Sequence, residues 1–395
     1  FVLIRAHNVY LVDFAVFRPP DANKVPHERF MRMSKEVGAF EQDSIDFQEK
    51  LLYRTGLGQE TYFPDGILSS PPEINMKRAR EEAEQVFTGC LDELFTKTKL
   101  KPRDIDILVV NCSLFNPTPS IAEMIINKYK MRSNVIVYNL SGMGCSAGVV
   151  SLDLAKDLLQ VHKNCNALVF STENITQNWY MGKNKAMLIS NTLFRMGGAA
   201  ILLSNKRWAA WNAKYKLQYI VRVHKGASEK AYKAVFQEED AAGIRGVALS
   251  KDLVEVAGDA LKSNLTILGP MVLPVTEQVK FVINYVTRLV ESYLGKKKTP
   301  YYNPDFKKAF EHFCIHAGGR AIIDGMEENL KLEPHHVEPS RATLFRYGNT
   351  SSSSIWYELN FIELSGRVKK GDRVLQIAFG SGFMCNSAVW KRVKA

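Results

Sequence analysis

One layout is written twice into this 395-residue chain at matching spacing, and that duplication constrains the fold more than any composition value. In the first copy the apolar run Val135-Ile-Val-Tyr138 leads into Asn139-Leu-Ser-Gly-Met-Gly-Cys-Ser-Ala-Gly148. An amphipathic stretch follows, with Val149, Val150, Leu152 and Leu159 against Asp153, Lys156 and Asp157. The pattern reads as strand, glycine turn and helix. Cys112, closing the strand-like Asp106–Cys112, lies 33 residues before Cys145; His316, closing the strand-like Phe313–His316, lies 33 residues before Asn349. Gly144-Cys145-Ser146 thus matches Gly348-Asn349-Thr350, each ahead of a helical stretch. Further strands follow each helix, at 166–171 and 198–203 in one half and at 373–378 and 386–390 in the other. The spacing predicts two similar α/β halves about a pseudo-twofold, residues 1–206 carrying Cys145 and residues 207–395 carrying His316 and Asn349. Cys145 falls at a helix N-terminus, where free N–H groups favour thiolate over thiol, so a reactive nucleophile is expected there.

Composition narrows the class. With 46% hydrophobic and 24% charged residues, the chain has the make-up of an ordinary folded protein. No apolar run reaches the ~18–20 residues of a membrane span, and the longest candidate, Leu265–Val275, carries Pro270 and Pro274. Six scattered cysteines, with no CxxC pair and no metal-ligand spacing, make no disulfide framework and predict a reducing compartment and no metal. The net charge of +11 suits phosphorylated substrates or an anionic membrane surface. The basic residues are dispersed and form no nucleic-acid motif, so that class of partner is excluded.

The motifs then become specific. Val9-Tyr-Leu-Val-Asp-Phe14, Tyr53-Arg-Thr-Gly-Leu-Gly58, Ser171-Thr-Glu-Asn-Ile-Thr176 and Phe194-Arg-Met-Gly-Gly-Ala-Ala200 resemble the plant 3-ketoacyl-CoA synthases, the condensing enzymes of very-long-chain fatty acid elongation. So do His224-Lys-Gly-Ala227, His312-Phe-Cys-Ile-His-Ala-Gly-Gly319, Gly348-Asn-Thr-Ser-Ser-Ser-Ser-Ile-Trp-Tyr357 and Gly380-Ser-Gly-Phe383. The match runs from about residue 8 to the C-terminus, and more distantly the chain is similar to type III polyketide synthases. The resemblance implies a thiolase-like αβαβα layered fold, with Cys145 as nucleophile and His316 and Asn349 as its catalytic partners. Acyl-CoA and malonyl-CoA are the implied substrates, no cofactor is implied, and the N–H of Cys145 with the Gly380-Ser381-Gly382 loop is the implied oxyanion site. Arg54 aligns with a coenzyme A-contacting arginine of bacterial relatives; Lys183, Lys185 and Arg195 are weaker candidates for the same contact. His224 and His312 match family histidines, and His312 lies on the same strand face as His316, so each reads equally as a supporting catalytic group or a structural one.

The resemblance also implies a homodimer, elongase partners (a ketoacyl-CoA reductase, a dehydratase and an enoyl-CoA reductase), and an endoplasmic reticulum membrane enzyme facing the cytosol. The opening Phe1-Val-Leu-Ile4 is read as following an N-terminal anchor. Phe345, Met384 and Ser141 depart from the family pattern, which bears on pocket shape rather than on the reaction. Val279–Leu294 reads as an amphipathic helix with a lysine cap at Lys296-Lys-Lys298, core-facing by default, or resting on the membrane and admitting an acyl chain. His335-His336 reads as surface loop. Three rivals stand beside the elongase reading. An iterative type III polyketide synthase would add several malonyl units. A papain-like protease fits poorly, since Cys145 and His316 lie 171 residues apart and that family places them ~130–150 apart. A silent acyl-CoA-binding subunit would have no need of the retained motifs.

Overall fold

A computed structural model describes residues 7–297 and 299–394; the expectations on residues 1–4 and on Lys298 lie outside them. The described residues form eleven strands: β1 (Tyr10–Val16), β2 (Ile107–Asn111), β3 (Ile136–Leu140), β4 (Asn166–Glu173), β5 (Gly197–Ser204), β6 (Tyr215–His224), β7 (Val235–Glu239), β8 (Arg245–Leu249), β9 (His312–Ile315), β10 (Arg373–Gly380) and β11 (Met384–Arg392). Of these, β1, β6, β7 and β8 are not among the runs that read as strands in the sequence. Nine of them join as β3-β2-β4-β5-β1-β6-β11-β10-β9, and β7 and β8 make a separate hairpin. The first five repeat in the last four. β1 and β6 each lie beside an antiparallel neighbour, β5 or β11, which itself runs antiparallel to β4 or β10, and each of these has a parallel neighbour, β2 or β9. Only Tyr10↔Lys216 and Leu11↔Tyr215 pair β1 with β6, so the sheet turns over at a short seam.

The alternation of side chains along each strand fixes the layers. Ile107 and Val109 of β2 point into a core shared with the helices Ala147–Val161 and Ser354–Leu364, whereas Leu108 and Val110 face the helix Met76–Thr98. On the far side Phe313, Leu375 and Ile377 face the helices Leu253–Val272 and Arg320–Leu330. Helix, sheet, paired helices, sheet and helix thus stack as the αβαβα arrangement. Trp356 locks the middle layer, its ring 5.4 Å from Phe14 of β1 and 6.2 Å from Trp390 of β11.

The helix Val275–Tyr293 departs from the core-facing default. It buries Glu277 alone, and leaves Val282, Tyr285, Val286, Leu289, Val290 and Tyr293 at least half exposed. Among the described residues most of its apolar face is left uncovered; Glu277 anchors it, accepting from Tyr302 Oη (2.5 Å) and Lys308 Nζ (2.6 Å). His335 and His336 lie in the first turn of the helix Pro334–Tyr347, not in a loop, because Pro334 at its first position fits the fixed φ of proline. Their ligand atoms and those of Glu333 lie within 4.8 Å of one another, but His336 Nδ1 already accepts the Glu333 N–H (3.1 Å).

Removing the Trp356 ring leaves a void at the seam of both halves, which costs about 3–5 kcal/mol. Trp356→Ala should therefore lower the stability measured by urea unfolding by that amount; a loss under about 1 kcal/mol would contradict this role.

Candidate active site

The turn that carries Cys145 is built by glycine. β3 ends at Leu140, and Gly142 (φ +71°) and Gly144 (φ +60°) take left-handed conformations that let the chain reverse into the helix at Ala147. A side chain at Gly144 would lie 2.5 Å from Ser381 N, and one at Gly380 would lie 2.3 Å from Ser146 Oγ. The nucleophile turn and the Gly380-Ser381-Gly382 loop therefore touch backbone to backbone. Gly148 makes a third close approach, to Ser352 O, where a Cβ would come within 2.5 Å. The two equivalent helix starts meet across the seam by this contact.

The meeting brings Cys145, His316, Asn349 and all of Gly380, Ser381 and Gly382 to the wall of one cavity of about 320 Å³. His316 follows β9; its N–H donates to Ile377 O (2.9 Å), and its Nδ1 lies 2.6 Å from Ser354 Oγ. Assigning the Ser354 hydroxyl as donor leaves the ring proton on Nε2, beside cavity-lining Gly318. Asn349 is held at both ends of its amide. Its Oδ1 accepts from Ser351 N (2.8 Å) and its Nδ2 donates to Gly318 O (3.2 Å), which leaves one N–H unused.

Two further residues escaped the sequence reading. Ser351, in the left-handed region at φ +55°, sets its hydroxyl 3.3 Å from Cys145 Sγ and 3.3 Å from Glu173 Oε2. One hydroxyl proton serves only one of these at a time. With Cys145 as a thiol, the S–H points to Ser351 Oγ and the serine proton to Glu173; with Cys145 as a thiolate, the serine proton turns to sulfur. Glu173, buried at the end of β4, accepts from Leu114 N (2.9 Å) and is held above the usual carboxylate range by burial. The visible signals were Ser171-Thr-Glu-Asn174 and the serine run after Asn349, but nothing in their spacing says that they meet.

Burial opposes the thiolate that a helix start favours. Burial pushes the Cys145 thiol up to about 12, against the pull of the Ser351 hydroxyl and with the Glu173 charge adding to it. A helix terminus contributes about 0.3–1 kcal/mol, too little to offset desolvation of a charge. Burial also lowers His316 to about 4, so the resting pair is a neutral thiol and a neutral imidazole.

The remaining candidates do not line this cavity. Arg195 is 1% exposed; its guanidinium donates to Thr61 Oγ1 (3.0 Å) and Phe194 O (2.8 Å) and stacks 4.3 Å from the Phe63 ring, with burial lowering it to about 9. It is a buried structural arginine and reaches no coenzyme. Lys183 pairs with Glu41 and Lys185 lies 5.8 Å over the Phe47 ring, both away from the site. Arg54 is exposed in the turn after the helix Gln42–Leu52. His312 starts β9, at the end opposite His316, and pairs with Asp372 (2.9 Å), so its shared strand face brings it no nearer the reaction. His224 is exposed at the end of β6; its Nδ1 accepts the Gly226 N–H (3.0 Å), beside Gly382 but outside the cavity wall. Met384 is buried in β11, Phe345 covers Gly58, and Ser141 is exposed.

Residues 1–290 match the model of the FAE1/Type III polyketide synthase-like protein family, and residues 307–392 match that of the 3-Oxoacyl-[acyl-carrier-protein (ACP)] synthase III C terminal. The chain is 58% identical over 394 residues to 3-ketoacyl-CoA synthase 4 of Arabidopsis thaliana, covering 100% of this chain and 76% of that protein. It is 60% identical over 390 residues to 3-ketoacyl-CoA synthase 9 of the same organism, covering 99% and 75%. Among solved structures, 1,3,6,8-tetrahydroxynaphthalene synthase of Streptomyces coelicolor A3(2), a bacterial type III polyketide synthase, superposes with a TM-score of 0.73 at 19% identity over 98% of this chain and 100% of that one. PKS-I of the brown alga Ectocarpus siliculosus gives 0.76 at 16% over 98% and 99%. These two share the fold.

A buried thiol gains thiolate tenfold per pH unit until its own pKa is reached. Iodoacetamide labelling of Cys145 in the free protein, followed on its peptide, should accelerate about tenfold per unit between about pH 7 and 10. A rate that is flat over this range would mean that the thiolate is already formed, and would contradict the neutral pair.

Proposed function

The chain belongs to the 3-ketoacyl-CoA synthase family, and from that premise we propose that it catalyses decarboxylative condensation of a long-chain acyl-CoA with malonyl-CoA. The observation that carries this reading is the convergence of Cys145, His316 and Asn349 on one cavity wall. Cys145 sulfur attacks the acyl thioester carbonyl, the bond from that carbonyl to the CoA sulfur breaks, and CoA departs as the thiol carrying the proton that Cys145 gave up, with the acyl group left on Cys145. Loss of a proton from a thiol that burial keeps protonated needs an acceptor. The neutral imidazole of His316 can take that proton on Nε2 as the tautomer that carries its own proton on Nδ1 and donates it to Ser354 Oγ. The tetrahedral oxyanion is met by backbone N–H groups of the two touching loops, 143–146 and 380–382.

Malonyl-CoA then binds with its thioester carbonyl between His316 and Asn349. The Nε2–H of His316 and the unused Nδ2–H of Asn349 donate to the enolate oxygen formed as the carboxylate leaves as CO2. The carbanion attacks the acyl-Cys145 carbonyl, the C–S bond breaks, and a 3-oxoacyl-CoA two carbons longer is released. Loss of CO2 drives the bond formation, so this sequence of steps calls on no metal or redox cofactor.

Several wider expectations join the proposal. A very-long-chain product and elongase partners (a ketoacyl-CoA reductase, a dehydratase and an enoyl-CoA reductase) are part of this reading, since a 3-oxoacyl-CoA needs reduction, dehydration and a second reduction to become a saturated acyl-CoA. A homodimer is supported by β3, an edge strand that exposes Val137 and Tyr138. Attachment to the endoplasmic reticulum membrane is supported by the exposed apolar helix Val275–Tyr293; among the described residues no helix is long and apolar enough to cross a membrane.

Product analysis with labelled malonyl-CoA tests the reaction. One labelled two-carbon unit per product is expected, and several units or a cyclised product would favour the polyketide synthase alternative. His316→Ala and Asn349→Ala should each slow condensation by about 100–1000-fold, the usual effect of removing one oxyanion donor. Condensation at the wild-type rate in either variant would remove that residue from the mechanism.

A further inference from the structure

A long acyl group on Cys145 needs more room than the cavity of about 320 Å³ that holds the reacting atoms. Ile322 and Phe379 line that cavity, and they also wall a narrow space of about 30 Å³ between the helices Leu253–Val272 and Arg320–Leu330. Gly258, Leu261 and Asn329 on the same narrow space then form part of the wall of a far larger cavity, about 760 Å³. The three spaces thus share walls in series from the nucleophile outwards. The helix Val275–Tyr293 supplies Phe281, Val282 and Tyr285 to the last of them, opposite Leu265, Leu273 and Phe306.

The chemistry of this outer cavity selects an aliphatic ligand. Three of its polar wall groups already have partners: Tyr302 Oη donates to Glu277 (2.5 Å), Gln278 Nε2 to Leu273 O (2.8 Å) and Asn329 Nδ2 to Gly325 O (2.7 Å). Lys262 Nζ lies 5.6 Å over the Tyr301 ring. Leu265, Leu273, Phe281, Val282, Phe306 and Leu330 give the wall a continuous apolar surface.

We propose that the neck at Gly258 and the outer cavity bind the distal methylenes of the acyl group carried on Cys145. The inference rests on the acyl transfer proposed above. It assigns chain-length selection to the helices Leu253–Val272, Val275–Tyr293 and Arg320–Leu330, which hold none of the reacting residues. Glycine at the neck fits this use. A Cβ at Gly258 would meet no atom within 4 Å, and one at Gly325 only Val254 Cγ1 at 4.0 Å. Both glycines sit inside helices, where any larger side chain except proline has higher helix propensity. The space they leave open therefore serves something other than the stability of those helices.

Gly258→Leu and Gly325→Leu test the assignment, with Gly258→Ala as the small control. Each protein is assayed for extension of octanoyl-CoA and of eicosanoyl-CoA with malonyl-CoA. The leucine variants should keep octanoyl-CoA extension, which reports an intact fold and site, and lose at least about tenfold in kcat/KM for eicosanoyl-CoA relative to octanoyl-CoA. Unchanged relative rates in both leucine variants would overturn the inference alone. A wild-type protein that extends neither substrate would overturn the functional reading and this inference with it. Should the leucine variants fail to fold, an eicosanoyl-CoA bearing a diazirine at its methyl end decides on the wild-type protein. Crosslinks to the peptides carrying Leu265, Tyr285 or Phe306 are expected, and crosslinks confined to the β7–β8 hairpin would overturn the assignment.

Discussion

The structure depends on a buried polar junction between its two halves, centred on Asn111 at the end of β2. Asn111 Nδ2 donates to Ser151 Oγ (2.9 Å) and Ser171 Oγ (2.7 Å), and its Oδ1 accepts from Ser352 Oγ (2.7 Å). All four residues are buried, so each of these bonds is costly to leave unmade. Ser352 comes from the second half and lies one residue past Ser351, which faces Cys145. The same contact requires Gly148, since any Cβ there would strike Ser352 O. Register across the seam, the position of the nucleophile and that of its partners are thereby set by one cluster of short contacts. The hydrophobic layers supply the bulk of the stabilisation, and the junction specifies which alignment of the halves is used.

The site that results is nearly uncharged at rest. Desolvation raises Cys145 and lowers His316, each towards its neutral form. A neutral imidazole suits the malonyl step, in which it donates a hydrogen bond to a developing negative charge. It also suits the acylation step as a proton acceptor. The two demands that look opposed for a charged Cys–His pair are met by the two tautomers of one neutral histidine: Nε2 accepts while Nδ1–H donates to Ser354 Oγ, and Nε2–H donates while the Ser354 hydroxyl donates to Nδ1. Ser351 links the thiol to the Glu173 carboxyl, so the hydrogen-bond chain can reverse as sulfur gains or loses charge.

Much of this was legible in the chain because it is carried by local patterns. A glycine turn ahead of a helix recurs at Cys145 and Asn349, and the common spacing back to Cys112 and His316 reflects equivalent strands, β2 and β9, in the two halves. What depended on distant convergence was not legible. Arg195 reads as a candidate coenzyme A contact, yet Thr61, 134 residues away, and the rings of Phe30 and Phe63 close over it. The period of two placed His312 on the face of His316, but the axial distance along β9 separates them. Ser351 and Glu173 meet although 178 residues apart. Periodicity also gave residues 279–294 an amphipathic stripe and with it a core-facing default, yet most of that stripe stays exposed among the described residues.

The central claim is that Cys145 accepts the acyl group. The most direct measurement is intact and peptide mass spectrometry of the purified protein after exposure to long-chain acyl-CoA without malonyl-CoA. The account predicts a mass increase of one acyl group on the peptide carrying Cys145, absent from Cys145→Ala. A folded protein that acquires no acyl group at any chain length, or acquires it on another residue, would contradict it.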